Sequence, residues 1–180
     1  MWQIILTGLS AVLLFGFTIL SVRKFGLLSC LSAYAPAWKE HLKTNRFTIW
    51  TAIIIISAFL LVPVLLEIGA VNPTYQFLGF LAPVSLFLVG CTPDYQTSKT
   101  QNVFHQVGAW GAVLYITLYV ILIPKLLPII ISYVTLGLLM SVAKKGTTIF
   151  WLEMAMYVSI YSVVLVLCGR ALNWFNFLLG

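Results

Sequence analysis

The stretch IILTGLSAVLLFGFTILSV, Ile4 to Val22, carries no charged residue and ends at Arg23-Lys24. A run of this kind restricts the fold more than any other feature of the chain. Hydrocarbon about 30 Å thick is crossed by about 20 helical residues, and within it every backbone amide needs a partner in its own segment. Five further runs follow, so the sequence predicts six spans, at residues 4–22, 48–68, 76–91, 104–123, 126–143 and 148–169. Gly69 closes the second, while Asn72-Pro73 and Thr92-Pro93 bound the third. The fourth and fifth come from one apolar tract too long for a single span. It is broken by IPKLLP, Ile123 to Pro128, where a lysine between two prolines signals a tight helical hairpin.

Composition agrees with this reading. Of 180 residues 62% are hydrophobic and 8% charged, with mean hydropathy +1.07. A soluble domain is roughly one-quarter charged, so polar groups here are too few to cover a water-facing surface. The expected fold class is an all-α integral membrane protein, a bundle of six transmembrane helices in one polytopic domain over residues 1–180. No internal repeat divides it.

Basic residues are retained on the cytoplasmic side of a membrane. Arg23, Lys24, Lys39, Lys43, Arg46, Lys99, Lys144 and Lys145 fall in the odd-numbered connections, against Lys125 and Arg170 on the other side. That asymmetry predicts both termini outside the cytoplasm; the location expected for this multi-pass chain, which the asymmetry itself does not select, is the plasma (inner) membrane. The first span lacks a basic leader and a small-residue cleavage site, so it reads as a retained anchor. The net charge of +6 concentrates in the first connection among Leu31, Tyr34 and Trp38. Attraction to anionic lipid headgroups explains it better than nucleic acid, which is not an expected partner. The segment Phe25 to Trp38 reads as a short interfacial helix or a continuation of the first span. Other expected partners are a second copy of the chain or another membrane protein.

Polar residues gather in one connection, GCTPDYQTSKTQNVFHQVGAW, Gly90 to Trp110. Thr92-Pro93-Asp94 has the pattern of a helix start, and Ser98 with Gln101 has capping-box spacing. His105, Gly108, Ala112, Tyr115 and Tyr119 are spaced three, four, three and four, which makes one helical seam. Gly108 and Ala112 on it would admit a neighbouring helix closely. Glu153, Tyr157 and Tyr161 recur every four residues in the last span, and a carboxylate inside a membrane needs a partner or water. Asp94, Lys99, His105, Lys144 and Glu153 are therefore the candidate polar site. Glu153 and His105 would titrate, Asp94 would orient the imidazole, and Lys99 or Lys144 would supply countercharge. The structural alternative is a Glu153 ion pair with Lys144, Lys145 or Lys99 that locks two helices. Glu67, Lys125 and Arg170 form a smaller set at the opposite end, and Pro63 and Pro83 stand inside spans.

Two histidines and three scattered cysteines (Cys30, Cys91, Cys168) give no metal-ligand spacing, and no cofactor is expected. Three function classes remain. The first is a non-catalytic membrane module or subunit acting through helix contacts. The second is a small transporter or channel using Glu153 and His105. The third is a metal-free lipid-modifying enzyme with His105 as base, for which no paired nucleophile is identifiable.

Overall fold

The computed structural model describes residues 1–43, 49–123, 127–143 and 146–171. They form seven α-helices: α1 (Trp2–Phe25), α2 (Tyr34–Leu42), α3 (Ile49–Gly69), α4 (Leu78–Gly90), α5 (Lys99–Leu122), α6 (Leu127–Ala143) and α7 (Thr148–Ala171). A short 3₁₀ turn, Leu31–Ala33, leads into α2. Four helices are long and apolar enough to cross a membrane: Trp2–Phe25, Ile49–Gly69, Lys99–Leu122 and Thr148–Gly169. Leu78–Gly90 and Pro128–Val142 are shorter apolar helices. At about 1.5 Å per residue, the 13 residues of α4 reach only about two-thirds of the way across hydrocarbon.

The segment after α1 is neither a continuation of that helix nor a helix starting at Phe25. Gly26, at φ 75, ends α1 and donates its N–H to the Val22 carbonyl at 2.9 Å, a left-handed position that glycine adopts without steric cost. The chain then turns back into α2. The expected helix start at Thr92 is also corrected. Residues 93–97 are consecutive turns, and the Thr92 hydroxyl donates backward to the Leu88 and Val89 carbonyls at 3.0 Å. Thr92 thus serves the carbonyl end of α4, where free acceptors are left over. Ser98 caps α5 as its spacing predicts, accepting from the Gln101 N–H. Gln101 does not complete the box, because its side chain accepts from the Asp94 N–H at 2.9 Å instead.

Packing follows chain order: α1 lies on α3, α3 on α4, α4 on α5 and α6 on α7, with α7 closing back onto α1. Glycines set the closest approaches. A Cβ at Gly108 would stand 2.7 Å from the Ser85 carbonyl oxygen of α4, and one at Gly137 would stand 2.8 Å from the Trp151 carbonyl oxygen of α7. The carbonyl end of α3 is satisfied by side chains, with Tyr119 donating to Leu65 at 2.6 Å and Gln76 to Leu66 at 2.8 Å. Inside a membrane such groups have no water to turn to.

Candidate functional site

Three segments meet at one end of the bundle: the strap between α1 and α2, the connection between α4 and α5, and the first turns of α7. The Glu153 Oε2 accepts the Leu31 backbone N–H at 2.6 Å. The Phe150 N–H of α7 donates to the Ser29 carbonyl at 3.0 Å. Each helix start thereby supplies an N–H that the other segment satisfies, and the acid sits where a helix N-terminus favours negative charge. Leu31 is 5% exposed, so its N–H depends on that carboxylate.

Tyr95 joins the strap to α5. Its hydroxyl accepts from Ser32 at 3.4 Å and from the Gln96 amide at 3.1 Å and lies 3.7 Å from the Cys30 Sγ. Its ring stacks on His105 with centroids 4.0 Å apart and planes 10° apart. Burial raises the Tyr95 hydroxyl above the ordinary tyrosine range, opposed by the hydrogen bond from Ser32, so it stays protonated at neutral pH. His105 is 5% exposed, and its Nδ1 faces the Thr92 hydroxyl at 3.1 Å.

Asp94 does not orient the imidazole. Its Oδ1 pairs with the Lys39 ammonium of α2 at 2.6 Å, with both side chains about one-third exposed or less. Lys99 is exposed at the start of α5, and Lys144 and Lys145 lie outside the described residues, as do Lys125 and the side chain of Arg170. The structure therefore brings together Glu153, Asp94 and His105 only through intermediaries: Leu31, Ser32, Tyr95 and Lys39. Sequence reasoning missed these. Lys39 was legible only as one of several basic residues, and Tyr95 only as an aromatic in a polar loop. Gly108 and Ala112 lie on the buried face of α5.

A second polar set lies deeper. The Tyr161 hydroxyl and Ser10 Oγ are 2.6 Å apart, and Ser10 also bonds the Ser57 carbonyl at 2.9 Å. The Ser57 Oγ, on a residue 4% exposed, has no hydrogen-bond partner. It borders a cavity of about 10 Å³ with Tyr157 and Tyr161, room for about one water molecule. Tyr157 stands one turn from Glu153 on the same face of α7.

Chemically, the end layer is an interlock. The face of His105 is covered by Tyr95 and its Nδ1 is engaged, while Asp94 is drawn away toward Lys39. Among the described residues no group of three His, Cys, Asp or Glu side chains converges as a metal site would require. The chain matches no protein-family model, no curated protein and no solved structure at a significant level.

Proposed function

We propose that the chain is a non-catalytic membrane module, a subunit or effector that acts through contacts of its helices. The observation that carries this reading is how the candidate polar groups are spent. Glu153 holds the Leu31 N–H, Asp94 holds Lys39, and His105 is enclosed by Thr92 and Tyr95. Each contact ties two segments of the chain together, and none leaves a general base facing a substrate-sized space. The small-residue face of α5 is used within the chain against α4, so partner contacts fall to the exposed apolar faces of α5 and α6.

The topology proposed with it has six crossings, the shorter α4 and α6 included, with both termini outside the cytoplasm. The eight-to-two distribution of basic residues supports this orientation, and a short span is tolerated by local thinning of the bilayer. The location proposed is the plasma (inner) membrane.

A second reading, transport of protons or small ions, is favoured by the line from Glu153 through Tyr157 to Tyr161 and Ser10, beside the unpartnered Ser57 hydroxyl. Proton and monovalent-ion flux into liposomes, measured against pH for wild type and Glu153→Gln, separates the two. The module reading expects no flux from folded wild type. A flux that Glu153→Gln abolishes overturns it and puts transport in its place.

A further inference from the structure

We propose that the corner between α1 and α2 binds the phosphate of an anionic phospholipid, with an acyl chain of that lipid lying along α1. The corner is built rather than incidental. Tyr34 donates its hydroxyl to the Gly26 carbonyl at 2.8 Å, and the Trp38 indole N–H donates to the Ser21 Oγ at 2.8 Å, which folds α2 back against the end of α1. This brings the Lys24 ammonium within hydrogen-bond reach of the His41 Nε2 and 5.1 Å from the Trp38 ring. The Phe25 ring meets Trp38 edge-on at 5.2 Å and His41 at 6.1 Å. An ammonium carries three donor hydrogens, so Lys24 keeps donors beyond its contact with His41. Arg23, Lys24, His41 and Lys43 are all exposed, with Glu40 as the one acid beside them. Lys39, the remaining cation of α2, is turned to Asp94 instead. The result is an exposed corner with excess positive charge, complementary to a phosphate.

The neighbouring surface of α1 identifies the phosphate as that of a lipid. Val12, Gly16, Leu20 and Lys24 recur every four residues on one face. Val12 is 72% and Leu20 60% exposed, and a Cβ at Gly16 would meet nothing within 4 Å. An exposed apolar strip, notched at Gly16, therefore runs along the helix for roughly 18 Å between Val12 and Lys24, a length over which an acyl chain can lie beneath a headgroup.

The test is a titration of the purified full-length chain in detergent with dioleoyl phosphatidic acid, followed by native mass spectrometry. The double variant Lys24→Gln/His41→Gln is expected to retain the lipid about tenfold more weakly, a loss of about 1.4 kcal/mol, with helical content unchanged by circular dichroism. Lys99→Gln removes an exposed cation elsewhere and is expected to stay within about twofold of wild type. Gly16→Leu fills the notch and should weaken phosphatidic acid binding. Equal losses from Lys99→Gln and the double variant overturn the proposal in favour of diffuse charge attraction. Full displacement of the lipid by millimolar inorganic phosphate overturns the acyl contact, and undiminished binding by the double variant overturns the site.

Discussion

At the scale of single residues, Glu153 shows how a half-buried acid is held by a backbone donor. Glu153→Leu leaves the Leu31 N–H buried without an acceptor, and the expected loss is about 1–3 kcal/mol of stability. Glu153→Gln retains an acceptor oxygen and is expected to lose less; thermal unfolding in detergent ranks the two. A larger effect from Glu153→Gln than from Glu153→Leu would contradict this role. Tyr95 gives a pH dependence. Burial holds its hydroxyl above the ordinary tyrosine range, so its contribution is fully present below that range and is lost as pH rises through the folded value. Wild type should therefore unfold more readily at pH 10 to 11 than at pH 8, and Tyr95→Phe should show a smaller alkaline loss, read from midpoints across that range. The residue types of this end layer were legible in the sequence, since Asp94, His105 and Glu153 stand out in so apolar a chain. Their partners were not. Lys39 meets Asp94 across 55 residues of sequence, and a backbone N–H such as that of Leu31 carries no residue signature at all.

Among the helices, glycine placement decides which surfaces touch. Gly108→Leu forces a side chain into the Ser85 carbonyl, where overpacking costs about 1–3 kcal/mol, whereas Gly16→Ala meets open space and should leave stability within about 0.5 kcal/mol. Denaturant-dependent loss of helix in mixed micelles checks both, and equal sensitivity at the two positions would show that α5 does not seat on α4 as described. The apolar runs located the helices well because in hydrocarbon the helix is the only open-chain way to satisfy the backbone. The runs at residues 48–68 and 148–169 correspond to α3 and α7 with small shifts at their ends. The errors fell where polar side chains choose between neighbouring backbone groups. Thr92 had the residue type of an N-cap, yet its hydroxyl serves α4 behind it, and Gln101 left the capping box for the Asp94 N–H. Both choices depend on how α4 and α5 are held side by side, which local spacing does not encode.

For the whole molecule, orientation is the most direct prediction. Single cysteines introduced at Val71 and Ser98 in a chain whose native cysteines are replaced by serine should react with an impermeant maleimide from opposite sides of a sealed membrane. Labelling of both from one side would remove the crossing by α4. The closure of α7 onto α1 also bears on how the chain is made. Leu31 waits for an acceptor 122 residues further on, and Ser10 for a hydroxyl 151 residues on. At synthesis rates of about 5–20 residues per second, the first helix spends roughly 6–25 s in the membrane before its strap can be tied. A nascent chain stalled before α7 thus lacks the acceptor of the Leu31 amide and the hydroxyl that Ser10 meets on α7, so the first helix is held in its final place only once the last one is made.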